Sequence, residues 1–186
     1  MTPWAEWRAA FADCLAAVPD TVIQKAAQIL LAADVVVTAG NGGSSAIASH
    51  FAQAIAKPDY RAGKGRGSFC ASDNIPTLTA HANDGGWETA LMETARPILE
   101  RVPRAVLVAI SSSGRSKNVV KLVELAKDIG HPIVTMTGFE GEPIRSMGTV
   151  SLHVPAHEYE LVEPAHEFIA HRLQVLLRTL GASHAS

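Results

Sequence analysis

The chain has 186 residues, 47% hydrophobic and 18% charged, with a formal net charge of −2. This composition excludes disorder and fits one compact domain that buries roughly two-thirds of its unfolded surface. With no block of consecutive Lys or Arg, sequence-independent nucleic-acid binding lacks its basic footprint.

Trp4, Trp7, Ala10, Phe11, Cys14 and Leu15 recur at three- and four-residue steps, which predicts an amphipathic first helix. Pro19 and Asp20 restart the chain, and Thr21 to Ala33 forms a second helix. Residues 1–33 thus read as a helical arm, either an oligomerisation surface or a layer on the chain's own sheet. Val35 to Ala39 is a strand that runs into G-N-G-G-S and a helix over 45–56. R-A-G-K-G-R, Arg61 to Arg66, is the most basic stretch and reads as a solvated loop suited to steering an anion. Weaker strands are expected at Ser68–Ala71 and Thr77–Ala80, then a helix from Gly86 to Glu100. A-V-L-V-A-I, Ala105 to Ile110, leads into S-S-S-G-R-S and a helix over 117–129 that Gly130 ends. Pro132–Thr137 and Val150–Val154 are further strands. A final helix runs from about Tyr159 to Leu180, and Pro164 suits a first helical position with Glu163 at the N-cap.

The strands are apolar and β-branched on both faces, as in a buried parallel sheet. With helices as crossovers, residues 34–186 form a doubly wound three-layer α/β sandwich around about five parallel strands. Cys14 and Cys70 lack metal-ligand spacing and read as packed thiols in a reducing compartment. The first residues do not read as a signal peptide, and no apolar run is long enough to span a membrane. A cytoplasmic location is the expectation, with no nucleic-acid or membrane partner.

Ligands in doubly wound sheets bind at the carboxyl ends of the strands, where both glycine/serine loops fall. Their small residues let backbone approach a ligand, and the helix N-termini that follow offer free N–H groups. Neither loop is a Walker A or a G-x-G-x-x-G motif. Alone, each also reads as an ordinary serine-capped turn. Two of them at separate strand ends favour a single phosphate held by Ser44, Ser111, Ser113 and Ser116.

G-N-G-G-S, S-S-S-G-R-S and a histidine-bearing last helix resemble the sugar isomerase (SIS) domain family over nearly the whole chain. H-F-A after the first loop, A-N-D-G-G and the spaced terminal histidines are most similar to its phosphoheptose isomerases. The resemblance implies aldose–ketose isomerisation of a heptose 7-phosphate through an enediol. It also implies a homotetramer with active sites at subunit interfaces. By its pattern Asn41, Gly42, Gly43 and Ser44 with Ser111, Ser112, Ser113 and Ser116 bind substrate, joined by Asp84 and Glu160. The pattern further implies a His/Glu site, with zinc in some members, at His50, Ala54, Glu163 and His171. Ala54 stands where a carboxylate is expected, so Glu163 is read as its replacement in a catalytic and zinc-binding set with His50 and His171. Glu163 and His171 lie two turns apart on one helix face, whereas His166 and Glu167 are expected to point elsewhere. Asp84 competes with a reading as a turn residue. His131, His153 and His157 are left structural. The alternative is a non-catalytic SIS protein that binds a sugar phosphate or a partner such as a replication initiator, and Ala54 is its best support. An isomerase of altered specificity, in secondary-metabolite or polysaccharide synthesis, is a third reading.

Overall fold

Apolar β-branched runs build the centre of the molecule. The structure, a computed structural model, describes residues 3–57 and 66–183. Its strands are β1 (Val35–Ala39), β2 (Gly67–Cys70), β3 (Ala105–Ser111), β4 (Ile133–Thr137) and β5 (Val150–His153). They form one parallel sheet in the order β2-β1-β3-β4-β5. Every residue of β3 and β4 is buried, as a sheet covered on both faces requires. The strand order changes direction between β1 and β3, which opens a crevice at their carboxyl ends.

One face is covered by α1 (Trp4–Ala16), α2 (Asp20–Leu31), α3 (Gly42–Ala56) and α8 (Tyr159–Ser183). The other face carries α4 (Ile75–Gly85), α5 (Trp87–Arg101), α6 (Lys117–Ile129) and α7 (Ile144–Met147). Leu30 and Phe51 are among the largest side chains buried on the first face, and Leu91, Leu99 and Leu122 on the second. Each such side chain contributes about 1.5–3 kcal/mol by leaving water. The expected three layers are therefore present.

The N-terminal arm packs on the chain's own core. Cys14, Val18, Ile23, Ala26, Ala27 and Leu30 join the first core, while Trp4 stays exposed and stacks on Trp7, which stacks in turn on Phe11. Burial pushes the Cys14 and Cys70 thiols up, so both stay protonated and unreactive. Among the described residues no single helix is long and apolar enough to cross a membrane.

Two local expectations are corrected, and a third falls mostly outside the described residues. Residues 77–80 are helical, inside α4, because Asn74 caps that helix through a bond from the Thr77 N–H at 3.1 Å and Pro76 pre-sets its first turn. The last helix begins at Tyr159 and runs through Pro164, so Glu163 is not its N-cap. The bond Pro164 omits is to the carbonyl of exposed Glu160, where water can serve instead. Of the basic stretch, Arg61 to Gly65 lie outside the described residues. Arg66 donates to the carbonyls of Leu31 and Ala33 at 2.6 and 3.3 Å, a structural use of its charge at the end of α2.

Candidate active site

The crevice between β1 and β3 is walled by the two loops singled out in the sequence. One joins β1 to α3 and the other joins β3 to α6. Between them lies a cavity of about 250 Å³ lined by residues 41–44, 110–113 and 116, with Tyr159 and Glu163 from α8. Gly43 lets the Glu163 carboxylate lie against the start of α3, where a Cβ would sit 2.2 Å from it. Gly114 holds a positive φ of 71° where the serine loop passes the backbone of Gly141. Ser111 Oγ donates to Ser116 Oγ at 3.3 Å, and the Arg115 N–H donates to Ser113 Oγ at 3.3 Å. The Ser112 hydroxyl is buried and has no partner among the described residues. A buried hydroxyl left unpaired carries a desolvation cost. The hydroxyls and the helix N-termini at this cavity suit a small anion held by dipoles and hydrogen-bond donors.

The cavity continues along α8. A second space of about 350 Å³ shares Gly43, Tyr159 and Glu163 with the first and adds Ile47, Glu160, Pro164 and Glu167. Glu167 in turn borders a small hollow with His50, Phe51, Ala54, Ala170, His171 and Gln174. Tyr159, Glu163, Glu167 and His171 are spaced four residues apart, which sets them along one stripe of the helix, facing α3. From Gly43 to His50 the groove follows α3 for about 10 Å, seven residues at 1.5 Å each.

His50, Glu167 and His171 meet at the far end of this groove. Glu167 Oε1 accepts from His50 Nδ1 and lies 3.3 Å from His171 Nε2, and the two imidazoles meet edge to face with centroids 5.0 Å apart. One ligand atom from each of the three lies within 4.8 Å of the others. Two imidazoles and a carboxylate at that separation fit a divalent metal with open positions, in the His₂Glu style of catalytic zinc.

The set differs from the one expected. Glu163 is not part of it, and Glu167, read as facing elsewhere, is. Eight residues of helix carry Glu163 about 12 Å along the axis from His171, while Glu167 is only about 6 Å away. The same arithmetic leaves the Glu163 carboxylate beside Gly43, at the anion cavity. His166 is fully buried, and burial pushes its imidazole down to about 4. The signal for Glu167 is present in the sequence, as a Glu four residues before His171 on one helix.

The remaining expectations divide. Residues 41–44, Ser111, Ser112, Ser113 and Ser116 line the first cavity, and Glu160 lines the second. Asp84 is not brought to either one. It ends α4 on the opposite face of the sheet, where Asn83 Nδ2 donates to it at 3.0 Å. His131 bonds the Leu99 carbonyl at 2.7 Å and His153 bonds Thr137 Oγ1 at 3.0 Å, while His157 faces Glu140 at 3.9 Å. Asn118, unremarked in the sequence, lies buried behind the cavity and pairs with Asn41.

Known proteins share this fold and much of its sequence. The SIS-domain family model matches residues 6–138. A lincomycin biosynthesis protein of Streptomyces lincolnensis is 36% identical over 148 residues, 73% of this chain, and the chain spans about half (53%) of that protein's length. A phosphoheptose isomerase of Helicobacter pylori is 34% identical over 134 residues, covering 72% of this chain and 69% of the relative. The structure of a phosphoheptose isomerase from Neisseria gonorrhoeae superposes with a TM-score of 0.83 at 26% identity over 95% of both chains. A matched family model over most of the chain, a relative of similar extent and a common fold agree: the chain belongs to the SIS-domain family, on its phosphoheptose isomerase branch.

Proposed function

We propose that the protein is a sugar-phosphate isomerase that interconverts sedoheptulose 7-phosphate and a manno-configured heptose 7-phosphate through an enediol. The observation that carries this reading is the run of adjoining spaces, sharing Gly43, Tyr159 and Glu163 and then Glu167, from an anion cavity to a His/Glu/His cluster about 10 Å away along α3. The phosphate is held by the N-terminus of α3 and by the hydroxyls of Ser44, Ser111, Ser112, Ser113 and Ser116. Glu163 and Glu160 accept from hydroxyls in the middle of the open chain. The carbonyl end then reaches His50, Glu167 and His171.

Isomerisation moves one proton between C1 and C2 and another between their oxygens. Glu167 Oε1 is engaged by the two histidines, so Oε2 takes the proton from C1 and returns it to C2. His171 shuttles the second proton between O2 and O1 through Nδ1, the ring nitrogen turned away from Glu167. His50 completes the ligand set, and zinc held by His50, Glu167 and His171 would polarise the carbonyl and stabilise the enediolate oxygen. This reading moves the catalytic carboxylate from Glu163 to Glu167.

The working form is read as a homotetramer with sites at subunit contacts. Its support is the exposed Trp4 and Trp87, large apolar side chains left uncovered in the single chain. Sedimentation of the purified protein checks this. The 36% identity to a lincomycin biosynthesis protein supports a second substrate reading, the same reaction on a related ketose phosphate. Incubation with sedoheptulose 7-phosphate, with and without zinc, tests the main reading by the appearance of the aldose. No aldose under either condition overturns it for that substrate.

A further inference from the structure

Two helix N-termini face the anion cavity. α3 begins at Gly42 and α6 at Lys117, and each end carries the partial positive charge of its dipole. Like ends brought together repel, so their spacing needs a tether of its own. That tether is a reciprocal pair of amides. Asn41 Nδ2 donates to Asn118 Oδ1 at 2.8 Å, and Asn118 Nδ2 donates back to Asn41 Oδ1 at 2.9 Å. Asn118 Oδ1 also accepts from the Val119 N–H at 3.0 Å.

The tether is buried: Asn118 is only 1% exposed, while Asn41 lines the cavity. On its other side the first loop is braced by Ser72, whose hydroxyl donates to the Gly40 carbonyl at 2.9 Å. Only a carboxamide offers donor and acceptor in one uncharged fork, so no other side chain at 118 keeps both bonds with Asn41 except a longer Gln. Serving both helix ends, Asn118 sets how far the glycine loop stands from the serine loop.

We propose that Asn118 is a positioning residue for the anion cavity, whose amide fixes the spacing of the two loops and thereby the affinity for the phosphate end of the substrate. The proposal rests on the reading of that cavity as a phosphate site. Asn118→Asp separates this role from simple packing. A carboxylate at 118 still accepts from Asn41 Nδ2 and from the Val119 N–H, and its charge suits two positive helix ends, which offsets the lost bond to Asn41 Oδ1. The same charge repels a bound dianion.

Thermal melts and calorimetric titrations with inorganic phosphate and with sedoheptulose 7-phosphate, on wild type, Asn118→Asp and Asn118→Ala, test it. Asn118→Asp is expected to melt close to wild type while binding phosphate about tenfold or more weakly. Asn118→Ala is expected to lose both stability and affinity, and the Asp variant keeps the test open if Ala fails to fold. For both variants KM rises more than kcat falls, and zinc binding is unchanged. Wild type that binds while Asn118→Asp binds equally well overturns the positioning role and leaves the function standing. So does an Asp variant that loses stability and affinity together, which is the mark of packing. Wild type that binds neither probe overturns both.

Discussion

Glu163 and Glu167 differ by one helical turn and are assigned different work. Glu163 packs its carboxylate against Gly43 at the anion cavity, and Glu167 sits between two imidazoles. Glu167→Gln should lower turnover about 100- to 10,000-fold, the range of a lost proton-transfer group. It should also lower zinc stoichiometry in metal analysis, with stability changed by less than about 0.5 kcal/mol because the residue is partly exposed. Glu163→Gln should keep zinc and raise KM several-fold, to about tenfold. If instead Glu163→Gln loses activity as far as Glu167→Gln, the carbon-proton carboxylate is Glu163. The histidines were legible in the sequence through their family spacing. The carboxylate was misplaced, because Ala54 removed the expected one and the family position pointed to Glu163, although Glu167 stands one helical turn before His171.

At the scale of elements, the loops depend on backbone that only glycine can adopt. Gly114 has φ of 71°, and a Cβ there would lie 1.9 Å from the Gly141 carbonyl oxygen. Gly114→Ala should therefore cost about 2–4 kcal/mol in urea unfolding, from left-handed strain and backbone overlap together. α4 teaches a related lesson. Thr77 to Ala80 has β propensity, yet the Asn74 cap and Pro76 start a helix that carries through it. α8 overrides a local preference as well. Packing of Leu161, Val162, Ala165 and Ile169 into the core keeps the helix continuous past Pro164.

For the whole molecule, His166 links stability to pH. It is fully buried, and neither ring nitrogen has a hydrogen-bond partner among the described residues. Burial lowers it from 6.5 to about 4, and the nearby Thr137 backbone, out of bonding geometry, offsets only part of that. A histidine lowered in the folded state binds its proton first in the unfolded chain. Its contribution is therefore complete above 6.5, falls as pH drops towards 4, and is gone below that. The span corresponds to about 3 kcal/mol at 1.36 kcal/mol for each pH unit. Chemical unfolding between pH 7.5 and 4 should show this loss, and His166→Leu should flatten that part of the curve. A variant with the unchanged slope would place the effect elsewhere.

The amino-acid pattern by itself determined the parallel α/β sheet, the two loops at its strand ends and the family. Each of these is written locally, in apolar β-branched runs, in glycine and serine where backbone must approach a ligand, and in helical periodicity. Tertiary structure alone decided which groups share the site. α3 and α8 are more than a hundred residues apart in sequence, and only their packing on one face of the sheet sets His50 against Glu167 and His171. The same packing leaves Asp84 on the opposite face and brings Asn118 against Asn41. Spacing along one helix can be counted from residue numbers, but the facing of two helices follows from the side chains that fill the space between them.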